Sequence, residues 1–192
     1  MDTETLKEKV KTIVQMAGAK YVLLAVALPN LLYLSATLTG SLKLLFYTHI
    51  LTGGVWTGFD IFMGFVLGPV LGSLPPRERA SVFKKLTPKT TFLLPVLAGV
   101  SLTSGVQLAL RLNLLHLSNF WAMAALILAA LLTLQGFGVL LPNGLRILGE
   151  ILKEKPDIET VSKLGMRNAR LGGIQGLMQI AIIFVMANLR GF

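Results

Sequence analysis

Apolar residues in this chain gather into five long runs, at about 21–39, 43–71, 90–111, 119–142 and 171–189. Each is close to or beyond the roughly 20 mostly apolar residues a helix needs to cross a bilayer. The pattern predicts an all-α integral membrane bundle of five transmembrane helices, a single domain over residues 1–192. Residues 1–20 form a charged amphipathic segment, and only Thr39, Gly40 and Ser41 separate the first two runs, so the first run reads as a retained span and not a cleaved signal. The segments between runs carry their own signals. Pro75 and Pro76 end the second span, and RERASVFKKL after them predicts a short interfacial helix. RILGEILKEKPDIETVSKL predicts two amphipathic helical turns broken at Pro156, with Asp157 capping the second. In LNLLHLSN, Ser118 or Asn119 is placed to cap the fourth span.

Composition agrees with the pattern: 54% of residues are hydrophobic and 14% charged, where a soluble domain carries roughly 25% charged residues. Charge placement sets the expected orientation. Lys7, Lys9, Lys11 and Lys20 precede the first span, Arg77, Arg79, Lys84, Lys85 and Lys89 follow the second, and Arg146, Lys153, Lys155, Lys163, Arg167 and Arg170 follow the fourth. With five spans these fall on one side, leaving Lys43, Arg111 and Arg190 on the other. A basic side faces the cytoplasm, so a multi-pass cell-membrane protein with a cytoplasmic N-terminus and an external C-terminus is expected. The net charge of +9 then reflects topology and attraction to lipid headgroups, and no basic stripe with interleaved aromatics suggests a nucleic-acid partner. Cysteine is absent, which excludes disulfides and thiolate chemistry. Neither a glycine-rich phosphate loop nor a nucleophile elbow is present.

Candidate chemistry therefore lies in polar residues within the spans, which are costly in hydrocarbon and tend to face the bundle interior. On the second span, His49, Gly53, Trp56, Asp60, Met63 and Leu67 fall within about 40° of one line along a helix. Gly53 and Gly54 remove bulk beside the histidine, so that a flat group or another helix can approach the backbone. Asp60, eleven residues on, lies about 16 Å deeper. The third span offers Gly99, Thr103, Gln107 and Arg111 at intervals of four, with Pro95 able to bend the helix. On the fifth, Asn168, Gly172, Gln175, Gln179 and Met186 share a face, with Gly173 and Gly176 beside it. Three such faces suit a bundle enclosing a cofactor, a polar cavity or closely packed helices.

His116 is the other histidine, in the loop before the fourth span, on the same side of the membrane as His49. Imidazole with a second histidine or a methionine is a haem-iron ligand set. His49 with His116, Met123 or Met186 is thus a candidate set, the methionines lying near the depth of His49. On residue type alone, a lone histidine in a membrane helix is better accounted for by a hydrogen bond to a neighbouring helix. Trp56 and the methionines are more simply read as core, and His116 as an ordinary loop histidine. Asp60 must be protonated, paired or functional at its depth.

The stretch H-I-L-x-G-x-x-W-x-G, present as His49, Ile50, Leu51, Gly53, Trp56 and Gly58, resembles the histidine-bearing helix of a group of small membrane proteins. The group includes copper-resistance D-type proteins, HemJ-type protoporphyrinogen oxidases and the membrane domain fused to some bacterial urate oxidases. LPPRERASVFKKL after LGPVLG resembles the loop that follows in uncharacterised members, and the similarity covers about 49–105. The resemblance implies a four- or five-helix bundle binding b-type haem, with His49 as one axial ligand. This chain lacks the lysine in a later span expected of HemJ-type enzymes and the histidine or methionine clusters of copper-resistance members, which speaks against protoporphyrinogen oxidation and copper transport.

The sequence thus leads to a cytochrome b-like membrane protein, in electron transfer or as a haem-dependent oxidoreductase linked to a quinone or another oxidant. In this reading His49 binds iron, Gly53 and Gly54 admit the porphyrin, Trp56 packs on it, Arg111 pairs with a propionate, and Asp60 and Gln107 hold or pass a proton. The expected partners are the bilayer, a quinone or another redox protein, and a second copy of the chain. Two other classes stay open: a small transporter or channel with Asp60, Gln107, Gln175 and Gln179 lining a polar pathway and His49 as a pH-sensitive gate, and a non-catalytic subunit of a larger membrane assembly.

Overall fold

The structure, a computed structural model, describes residues 3–116 and 118–189. Helix α1 (Thr3–Ala17) is short and carries mostly exposed side chains. Gly18, at φ +90°, turns the chain into α2 (Ala19–Leu38), a backbone setting that glycine adopts without strain. Lys89 Nζ reaches back to the Ala17 carbonyl at 2.7 Å and lies over the Tyr21 ring, fastening this corner. A turn through Gly40 leads to α3 (Leu42–Ile61), capped by Ser41 Oγ, which accepts from Leu44 N at 3.2 Å. The helix then widens into a π-helical segment (Phe62–Leu67) and closes as α4 (Gly68–Ser73).

Pro76 opens α5 (Pro76–Arg111), where its missing N–H costs nothing. Asn119 Oδ1 caps α6 (Phe120–Gln135), accepting from Trp121 N and Ala122 N. A second π-helical segment (Gly136–Leu140) links α6 to α7 (Leu141–Ile151). Asp157 caps α8 (Ile158–Ala187), with Oδ1 accepting from Glu159 N and Thr160 N. Among the described residues, five helical stretches are long and apolar enough to cross a membrane: Ala19–Leu38, Leu42–Ser73, Pro76–Arg111, Phe120–Ile151 and Ile158–Ala187.

The five-span expectation holds, and the connectors differ from it. RERASVFKKL is not a separate interfacial helix but the opening turns of α5, because Ala80 and Phe83 pack into the core and draw the helix onward. RILGEIL likewise continues the fourth span as α7, burying Ile147, Leu148 and Ile151. The sequence break at Pro156 separates two long spans, with Asp157 as the expected cap. Arg190 lies outside the described residues.

Contacts fix the helix directions. Tyr21 meets Lys89 at one end and Ala36 packs with Leu108 at the other, so α2 and α5 run parallel. His49 meets Gly105 where Gly53 faces Ser101, and Gly64 faces Gly173 where Gly68 faces Ala169, so the second span is antiparallel to both α5 and α8. A methyl on Gly64 would lie 2.1 Å from Gly173 Cα: the two backbones touch, as only glycine allows. The core forms three clusters along the axis. At the end carrying most lysines and arginines, here the basic end, Leu71, Ala80, Phe83, Ile147, Ile151, Val161 and Met166 pack together. Trp56, Leu97, Ala98 and Leu132 fill the middle, and Ala36, Leu45 and Leu108 the far end. Large apolar side chains such as Leu23, Leu31, Ile50, Phe62, Leu134 and Phe184 remain exposed on the outside, a surface that water would not tolerate over such an area.

Candidate functional site

Towards the far end, α3, α5, α6 and α8 splay around a chamber of about 590 Å³, within the roughly 300–1,000 Å³ typical of small-molecule and cofactor sites. Its walls are almost wholly apolar. Small residues set them back: Gly53 and Gly54 on α3, Gly105 on α5, and Ala122, Ala125 and Ala129 on α6. His49, Trp56, Gln179 and Met186 also stand on the wall.

His49 is half-buried and anchored to α5. Its Nδ1 lies 2.9 Å from the Ser101 carbonyl oxygen and 3.3 Å from Ser104 Oγ. A carbonyl only accepts, so Nδ1 carries the proton and Nε2 keeps a free lone pair. Ser104 Oγ donates to the Val100 carbonyl at 2.6 Å, which leaves its lone pairs turned to the ring. The ring rests on Gly105, where a methyl would come 2.8 Å from His49 Cε1. No hydrogen bond occupies Nε2 among the described residues. Histidine metal ligands have this arrangement, donating the second ring N–H to a backbone carbonyl to fix tautomer and orientation. No group of three or more His, Cys, Asp or Glu side chains is gathered as a metal site among the described residues, so an ion here would need its remaining donors from elsewhere, as iron in a porphyrin has.

The fit to haem is partial. Chamber size, setback walls and the free imidazole nitrogen suit a flat apolar group, and Met186 shares the wall. Other expected contributors are elsewhere. His116 is exposed in the loop before α6 and does not line the chamber, and Met123 does not line it either. Arg111 donates through Nη1 to the Gly40 carbonyl at 3.1 Å, holding the α2–α3 turn instead of facing the chamber. His49 packs on Gly105 and Gly53 faces Ser101, a register that sets Asp60 level with about residue 94 of α5, so Gln107 is about 20 Å away along the axis. It cannot share a proton with Asp60 directly.

Beneath the chamber, Asp60 is 2% exposed and accepts from Gln175 Nε2 at 3.0 Å through Oδ2. Trp56 and Gln179 lie next to the same carboxyl, though Gln179 finds no hydrogen-bond partner. A narrow second cavity of about 100 Å³ begins here and is lined by Thr87, Thr90, Thr91, Asn168 and Gln175 among others. Asn168 is held by two neighbours, accepting from Asn143 Nδ2 at 3.1 Å and donating to the Leu140 carbonyl at 3.0 Å.

Sequence periodicity placed the α3 face correctly in one respect, since Trp56, Asp60 and Met63 are all buried. It missed Ser101, Ser104 and Gly105. The α5 stripe it singled out is turned partly outward, with Thr103 exposed and bonded to its own helix at the Gly99 carbonyl. The signal for the inward stripe was Ser101, Ser104 and Leu108, also at helical spacing.

No curated protein and no solved structure matches the chain. One protein family does, over residues 51–147, a span that takes in Gly53, Trp56, Asp60, all of α5 and all of α6. That family is described as a domain of unknown function, DUF4149, and the chain belongs to it.

Proposed function

We propose that the chain is a b-type cytochrome-like protein of the cell membrane, basic end towards the cytoplasm, holding haem in the outer chamber and exchanging electrons with a quinone or another redox protein. One observation carries the reading: His49 is pinned through Nδ1 to the Ser101 carbonyl and keeps Nε2 free on the wall of a 590 Å³ apolar chamber. Bound there, haem would supply one-electron iron chemistry. His49 Nε2 would hold the iron, with Met186, which lines the same chamber, as a second donor. Gly53, Gly54 and the α6 alanines would make room for the ring, Trp56 would pack beside it, and the apolar walls would limit water at the metal. Arg111, engaged with Gly40, takes no propionate in this arrangement.

The test is optical. Protein purified from haem-replete cells, or loaded with hemin, should show a Soret band and a reduced-minus-oxidised difference spectrum. His49→Ala should lose both and regain them with added imidazole, while Met186→Leu should shift the bands without abolishing them. A colourless wild-type protein that does not take up hemin refutes the proposal. A second reading, a small transporter, draws on the buried Asp60–Gln175 pair; solute uptake into liposomes that is abolished by Asp60→Asn and indifferent to haem would favour it.

A further inference from the structure

Trp56 belongs to the walls of both cavities and so stands between the outer chamber and the inner slot, with Asp60 on the slot side and Gln179, beside the same carboxyl, on the chamber wall. The slot follows α5 from Ala98 to Phe83, fifteen residues or about 22 Å along the axis. It ends among Phe83, Ile147 and Gly165, inside the basic end of the bundle. Among the described residues, Asp60 is the only titratable group on its wall. The elements packed around the carboxyl present Gln175, Gln179 and Gly172 from α8, Thr91 and Leu94 from α5, Trp56 and Met63 from its own span, and Gly136 and Phe137 beyond α6, none of them charged. No ion pair reaches Asp60 among the described residues, and an unpaired carboxylate is strongly disfavoured in such surroundings.

Polar atoms beside it also lack partners. Gln175 Oε1 and both Gln179 amide atoms are buried without a hydrogen bond, and both glutamines are 2% exposed. A buried amide normally finds a partner in protein or in ordered water, and the slot has room for a short file of waters. Its walls are locally opened helix: Met63 belongs to the first π-helical segment, Gly136, Phe137 and Leu140 to the second, and Pro95 leaves the Thr91 carbonyl without its helical donor. π-helical turns recur at functional sites.

We propose that Asp60 is a proton-exchange site between the two cavities, loaded through water in the inner slot from the basic end and unloaded past Trp56 and Gln179 into the outer chamber. A proton from bulk solvent is relayed along the slot waters, each handing one on as it receives another, and the last hands it to the carboxylate; the carboxylic acid then gives it to water at the chamber side and returns to the anion. Both cavities are needed, and haem is not, so the proposal stands whatever occupies the chamber.

Infrared spectroscopy of the full-length protein in lipid nanodiscs tests it. The wild type should show a carboxylic-acid C=O stretch that titrates reversibly with bulk pH, shifts rapidly in D₂O and is missing in Asp60→Asn. Filling the slot with Thr91→Ile should keep the band and slow its exchange at least ten-fold. If Asp60→Asn does not fold, Asp60→Glu should move the band instead of removing it. A spectrum with no protonated-carboxyl signal assignable to Asp60 at any pH overturns the proposal, as does an exchange rate that Thr91→Ile leaves unchanged.

Discussion

Replacing Gly105 by alanine perturbs the histidine without touching it chemically. The added methyl would stand 2.8 Å from His49 Cε1, and ordinary contact begins near 3.4 Å, so the ring must retreat by about 0.6 Å or tilt. The Nδ1 bond to the Ser101 carbonyl is 2.9 Å long. A retreat of that size stretches it to about 3.5 Å, past the roughly 2.7–3.2 Å of a good bond. Leaving the buried N–H unsatisfied costs about 1–3 kcal/mol, offset by up to about 1 kcal/mol from replacing glycine within a helix. The net loss is at most about 3 kcal/mol and falls to about 2 kcal/mol or less where the full helix gain is realised. Gly99→Ala is the control: a methyl there meets nothing within 4 Å, so it gains helix propensity alone. Reversible unfolding of the two variants in mixed micelles measures the difference, and hemin titration adds a second readout. Because an outer-sphere partner of a ligating histidine is worth about 10–100-fold in metal affinity, Gly105→Ala should weaken uptake by at least ten-fold and Gly99→Ala should not. Equal stability and equal uptake in the two variants would refute the placement of the ring.

Three further outcomes follow from the packing. Gly64→Ala puts a methyl 2.1 Å from Gly173 Cα; backbone cannot yield as a side chain does, so the loss should reach or exceed the upper part of the usual 1–3 kcal/mol for overpacking, about 3 kcal/mol, in the same unfolding assay. Asn168→Leu strands the Asn143 amide and the Leu140 carbonyl and should cost about 1–3 kcal/mol, with the damage confined to the α7–α8 contact in hydrogen-exchange maps. At the start of α8, the Thr160 hydroxyl and backbone N–H hold the Asp157 carboxyl below its ordinary value of 3.8. A depressed value means that the cap is in full force above the ordinary aspartate range and is lost as pH falls through the lowered one. Amide protection at Glu159 and Thr160 should therefore persist at neutral pH, fade only in acid below about 4, and be missing throughout in Asp157→Ala.

The number and type of spans were legible because lipid imposes a length and a composition that the chain must meet locally. Their ends were not. α5 runs fourteen residues before the apolar run begins at 90, since Ala80 and Phe83 bury one side of an otherwise charged helix. Periodicity could place His49, Trp56 and Asp60 on one face, but it could not choose between two helical stripes on α5, Gly99–Thr103–Gln107 and Ser101–Ser104–Leu108. That choice depends on how α3 and α5 pack. Depth suggested His116 and Met123 as partners of His49; azimuth, which no single helix encodes, turned them away and left Met186. The stagger between antiparallel helices likewise separated Gln107 from Asp60 and brought Gln175, on the far side of the sequence, to it.

The central claim is that His49 Nε2 binds iron in the outer chamber. Electron–nuclear double resonance on ferric protein grown with ¹⁵N-histidine reads that bond itself. The account predicts a strongly coupled histidine nitrogen in the wild type, unchanged in His116→Ala and missing in His49→Ala. A coupled nitrogen that survives His49→Ala, or that vanishes with His116→Ala, would contradict it.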